Sequence, residues 1–187
     1  MADLTISLDA EMRGAALVLR YTVRNGLSQD VYLLNRVHSA SPPMMTPDLA
    51  YVELDAAERL VRVYKGIPSQ PPGLSSGPPV PAAPYVTPVR AGAAFSEIVH
   101  IPAPVRIYRA YGRTPPRLLP PEETITTFRG VSFDLGWYAR APGVTESPST
   151  ALGQPVILPT GYKTIPPIHV MRGPVVELAV PVILPPR

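Results

Sequence analysis

Prolines punctuate this chain so densely that no long helix can be threaded through it. There are 27 among 187 residues, against about 5% in average proteins. Each lacks a backbone donor and clashes with a preceding helical turn, so helix is confined to short pieces. What lies between the prolines alternates. Val131, Phe133, Leu135, Trp137 and Ala139 are interleaved with Ser132, Asp134, Gly136, Tyr138 and Arg140. That is the two-residue period of a strand with one face in a core. The stretch holds the single Trp and one of three Phe, and is therefore expected at the centre of the core.

The same period recurs along the chain. Leu4, Ile6 and Leu8 open a first strand; Leu17, Leu19, Tyr21 and Val23 mark a second, ended by the Asn25-Gly26 turn signal. Val31-Tyr-Leu-Leu34 is apolar on both faces, which places a third strand centrally. Ser41–Pro47 reads as a loop or partner-facing corner, and Tyr51–Asp55 and Leu60–Tyr64 read as a hairpin around Ala56–Arg59. In Ala94–Ile101, Phe95, Val99 and Ile101 share a phase with Glu97; a bulge is expected to reconcile the charge with the apolar face. Val176, Leu178, Val180, Val182 and Leu184 line one face of a terminal strand, which Pro181 assigns to an edge. Residues 66–88 and 142–174 are read as long Pro-rich loops, with a further polar loop at 112–123. Eight to ten strands with turn signals between them imply an all-β, two-sheet β-sandwich forming a single domain over residues 1–187.

Composition narrows the function classes. Apolar residues make up 45% and charged residues 17%, enough apolar content for a packed core. With no Cys, disulfides, thiolate metal sites and Cys nucleophiles are excluded. The net charge of +3 is scattered and does not by itself call for an anionic partner. No apolar run reaches the roughly 18 residues of a membrane-spanning helix. Met1–Ser7 enters a strand pattern directly, without a leader-like apolar region, so a cytoplasmic location is expected.

Three segments carry a resemblance. Leu17-Val-Leu-Arg-Tyr-Thr-Val-Arg-Asn25 followed by Val31-Tyr-Leu-Leu34 resembles the B-strand, Asn-turn and C-strand of bacterial immunoglobulin-like domains, in particular those of intracellular-proteinase-inhibitor type. Arg90-Ala-Gly92 with Phe95–Pro102 is similar to their turn and outward strand. Asp134-Leu-Gly-Trp-Tyr138 resembles the D-x-G-x-Y tyrosine corner, with Arg140 standing where such folds carry Cys. The resemblance implies an immunoglobulin-like sandwich; a function is not carried by the fold.

Chemistry is sparse. His38, His100 and His169 could in principle ligate a metal, but none is spaced with a second ligand, and exposed or hydrogen-bonded imidazoles are the plainer reading. There is no G-x-S-x-G elbow and no phosphate-cradling glycine pattern. Arg106, Arg109, Arg113 and Arg117, interleaved with Tyr108 and Tyr111, form a basic–aromatic cluster that could hold a single nucleic-acid strand; a solvated loop with Arg stems covering apolar surface is the plainer reading. Lys65-Gly-Ile-Pro68-Ser-Gln-Pro71 fits a polyproline groove ligand. Pro68, Pro71 and Tyr85, with the adaptable thioethers of Met44 and Met45, are the expected partner-binding residues. The leading expectation is a non-enzymatic protein–protein interaction module without a cofactor. A His-dependent hydrolase or metal enzyme, and a single-stranded nucleic-acid binder, are the competing readings.

Overall fold

The computed structural model describes residues 3–40, 43–67, 84–108, 124–164 and 166–184, the side chains of residues 39 and 40 apart. It is all-β, with no helix among the described residues. In chain order the strands are β1 (Leu4–Arg13), β2 (Ala16–Asn25), β3 (Val31–Arg36), β4 (His38–Ala40) and β5 (Pro43–Met45). Then come β6 (Tyr51–Asp55), β7 (Leu60–Lys65), β8 (Tyr85–Val89), β9 (Ala94–Pro102) and β10 (Thr124–Ala139). The last four are β11 (Thr145–Ala151), β12 (Gln154–Thr160), β13 (His169–Arg172) and β14 (Val176–Leu184).

Two sheets dominate. The smaller is β1-β2-β9; the larger runs β11-β12-β8-β3-β10-β7-β6, with β13 and β14 also on β10. β4 and β5 form a separate hairpin. Gly14 turns β1 into β2 at φ +58, a conformation that suits a residue without Cβ. Asn25 closes the far end of β2: its side-chain Nδ2 donates to Gln29 O (2.9 Å) and Val89 O (3.0 Å).

β10 organises the larger sheet. Along one edge it pairs with β14 over Thr124–Val131 and then with β13 over Asp134–Trp137. Along the other it pairs with β7, in parallel, over Gly130–Leu135 and then with β3 over Trp137–Ala139. Gly130 sits where the β14 register shifts; a Cβ there would lie 2.7 Å from Val176 O.

The main core fills the space between the sheets. Leu17, Leu19, Tyr21 and Val23 of β2, with Val99 and Ile101 of β9, meet Val31, Leu33, Val61, Val63, Val131, Phe133 and Leu135. At its middle the Tyr21 and Phe133 rings stack with centroids 4.5 Å apart. Trp137 is not there: it is partly buried at the margin and stacks on His169. Although Trp is the largest apolar side chain, residue 137 is where β10 pairs with His169, the first residue of β13, and the indole lies against that imidazole. A second cluster, Tyr32, Leu34, Val86, Tyr138 and Val144, covers the opposite face of β3. That is why β3 is apolar on both faces.

Several expectations are corrected. Tyr85–Val89, read as part of a loop over 66–88, is a strand between β12 and β3. About half of the presumed loop 142–174 is a hairpin: β11 and β12 pair along seven positions, and Leu152 and Gly153 take φ of 49 and 75, the paired positive values of a tight hairpin turn. Pro43–Met45 pairs with β4 and is not a loop. β9 keeps an unbroken register with β2 from Ala94 to Pro102; without a bulge, Glu97 faces inward with Val99 and Ile101. The tyrosine-corner segment lies inside β10, and Tyr138 packs against Tyr32 with centroids 5.3 Å apart.

Candidate interaction groove

The residues after β5 build a wall against the end of β9. Asp48 Oδ1 accepts from the His100 backbone N–H at 2.7 Å and lies 3.1 Å from His100 Nδ1. From the inside, Lys65 Nζ donates to Pro47 O at 2.5 Å. Held at both points, residues 46–50 border two adjoining hollows that share Asp48, Leu49 and Pro102. One, of about 450 Å³, is floored by Ala50, Val52, Ile101 and Ile183 and closed by Arg106 and Tyr108. The other, of about 510 Å³, is bordered by Met44 and His100. Tyr108 is docked by backbone bonds in both directions with Val52, at 2.8 and 3.0 Å. Its ring stacks on Tyr51 (6.0 Å), which lies over Tyr64 (6.3 Å). Tyr108 is the exposed end of this ladder; burial pushes the Tyr64 hydroxyl up to about 12.

Behind the wall is a buried carboxylate. Glu97, its side chain 7% exposed, accepts from Tyr21 Oη (2.7 Å) and Lys65 Nζ (2.7 Å) on Oε2. Its Oε1 accepts from Arg36 Nη1 (2.6 Å) and, at 3.5 Å, Asn35 Nδ2. Lys65 is fully buried, and that desolvation lowers its pKa against the opposing pull of Glu97. Tyr21 is raised well above its ordinary value by burial and then by the Glu97 charge. A charge in the core is tolerated only with partners, and here each oxygen has two donors.

A second charged cluster ties β3, β8, β10 and β11 together. Arg90 donates to both oxygens of Glu146 (2.9 and 2.7 Å) and to Asp30 Oδ2 (2.8 Å). Arg140 reaches Asp30 Oδ2 at 3.1 Å and Val144 O at 2.8 Å, and Tyr32 Oη donates to Glu146. The Arg90 bond holds Glu146 below its ordinary value. Asp30 is lowered first by the Ala91 N–H and then by Arg90.

Of the residues singled out from sequence, Met44, Arg106 and Tyr108 border the groove. Met45 turns inward at 3% exposure, so the two thioethers do not face solvent together. Tyr85 lies in β8, its ring 5.6 Å from His38. Pro68, Pro71, Arg109, Arg113 and Arg117 lie outside the described residues. The three imidazoles fall in three places: His38 by Tyr85, His100 by Asp48, His169 by Trp137. Among the described residues no group of three His, Asp or Glu is placed to hold a metal ion, and no helix is long and apolar enough to cross a membrane. Sequence reasoning missed Glu97 and Lys65, although both stand in the core phase of their strands. Compared with known protein families, curated proteins and solved structures, the chain matches none.

Proposed function

We propose that this chain is a non-enzymatic, immunoglobulin-like β-sandwich whose work is to bind another protein, and that the partner seats in the groove between residues 46–50 and 100–108. The strand order supports the fold reading: β1-β2-β9 facing β3-β10-β14 follows the A-B-E and C-F-G arrangement of such sandwiches. β6–β7 and β11–β12 are additions to that plan. The observation that carries the binding reading is the groove itself. It is apolar-floored and rimmed by Tyr108 and Arg106, residue types enriched at protein interfaces. Its wall is held from behind by the Lys65–Pro47 bond, so little order is lost on binding.

The test is affinity capture from the native host with the wild type, Leu49→Arg, and a form shortened across residues 68–84. Recovery of a partner that falls at least about tenfold with Leu49→Arg, in a variant with an unchanged circular dichroism spectrum, supports the groove; that is about 1.4 kcal/mol of binding. Loss only with the shortened form moves the site to the Pro-rich segment. Equal recovery by all three refutes the reading.

A further inference from the structure

Three side chains that meet in the core carry the groups of an amide-forming reaction. β3 and β7 share one edge of β10 and run toward each other. Leu33 opposes Trp137 with β3 heading toward Leu135, and Lys65, the last residue of β7, opposes Leu135 itself. Both strands turn alternate residues inward: Val31, Leu33 and Asn35 from one, Val61, Val63 and Lys65 from the other. The converging ends thus deliver a carboxamide and an amine to one place, and both residues are 0% exposed. Glu97 arrives from the opposing sheet and touches both, Oε2 at 2.7 Å from Lys65 Nζ and Oε1 at 3.5 Å from Asn35 Nδ2. Asn35 Oδ1 has no hydrogen-bond partner among the described residues, an unusual state for a buried acceptor.

We propose that Lys65 and Asn35 condense into an intramolecular isopeptide bond with Glu97 as the proton carrier. The ammonium proton passes along the Nζ–Oε2 hydrogen bond, leaving a neutral amine and a carboxylic acid. A neutral pair costs less to bury than two ions, and desolvation already draws Lys65 that way. The new acid donates to Asn35 Oδ1, which turns toward it, and polarises the carbonyl. Nζ attacks Cγ, forming the Nζ–Cγ bond. The tetrahedral centre collapses with cleavage of Cγ–Nδ2, the surplus amine proton passing through the carboxyl to the departing nitrogen. Ammonia leaves, takes the remaining proton as ammonium, and Glu97 is ionised again; nothing is oxidised or reduced. Tyr21 and Arg36 fix the carboxyl between its two reactants. Pro47 O, which accepts from Nζ, remains a partner for the amide N–H.

Intact-mass measurement of the denatured full chain tests this. The wild type is expected one ammonia lighter than its sequence mass, and a digest is expected to yield a branched peptide joining Asn35 to Lys65. Asn35→Ala, Lys65→Met and Glu97→Gln should each restore the full sequence mass. The wild-type measurement stands even where a variant does not fold. A wild type at full mass overturns the proposal. So does loss of water, which would mark Lys65 joined to Glu97, or ammonia loss without a branched peptide, which would mark a cyclic imide at Asn35. Persistent ammonia loss in Glu97→Gln would overturn the carboxylate's role.

Discussion

Replacing Phe133 should hurt the protein more than replacing Trp137, although Trp is the bigger side chain. Phe133 is 0% exposed and stacked on Tyr21, itself 1% exposed, between the sheets. A buried Phe→Ala change costs about 3–5 kcal/mol, because neighbours close only part of the cavity. Trp137 sits at the core's margin with part of its surface in water, so less apolar area is lost and about 1.5–2 kcal/mol is expected. With a urea slope of about 2 kcal/mol per molar, Phe133→Ala should lower the midpoint by about 2 M and Trp137→Ala by less than about 1 M. Phe133→Leu, which refills most of the space, should cost about 1.5 kcal/mol. Equilibrium urea unfolding followed by far-ultraviolet circular dichroism reads all three, since it does not rely on the single Trp. A Trp137→Ala midpoint as low as that of Phe133→Ala would refute the location of the core.

Acidification gives a second test. Asp30 and Glu146 have folded pKa values below their unfolded ones, so their stabilisation is complete above about pH 4–5 and fades as pH falls through the depressed values. Glu146→Gln should flatten the acid limb of urea midpoint against pH; an unchanged limb contradicts the assignment. Asp134 has the opposite sign, since burial raises its carboxyl: Asp134→Asn should stabilise the protein at pH 7 and lose that advantage in acid, in the same titration. Gly130→Ala should destabilise by about 1–3 kcal/mol, the range for overpacking, because its Cβ would meet Val176 O at 2.7 Å; a thermal melt matching wild type would show that β10 and β14 separate there easily. Asn25→Ala deprives Gln29 O and Val89 O of their donor and should cost about 1–3 kcal/mol, read as a lower urea midpoint at constant slope.

Sequence periodicity located the strands that are buried on one face and closed by turns. β2, β14 and the β6–β7 hairpin lie where alternation and turn residues place them. β11 was missed because Thr145–Ala151 is largely exposed; an edge strand that sends no apolar side chain into the core has no apolar phase to read. Glu97 was misread for the opposite reason. Its phase in β9 was right, but a charge on the apolar face suggested a bulge, since its partner Lys65 is far away in sequence. A local pattern cannot supply a counter-ion that only the packing of two sheets brings near. The groove was similarly illegible: Met44, Arg106 and Tyr108 drew notice, yet the wall exists because Asp48 meets His100 and Lys65 meets Pro47, contacts between segments remote in sequence.

β10 takes neighbours from both directions of the polypeptide, β3 and β7 made before it and β13 and β14 made after it. A nascent chain that has emerged only as far as residue 123 therefore holds β3 and β7 without the strand that joins them to the rest of the sheet. Such long-range closure is slow and leaves sheet edges open to wrong partners meanwhile. A stop codon ahead of β10 would leave β3 and β7 without the strand that both pair with, an unfinished sheet.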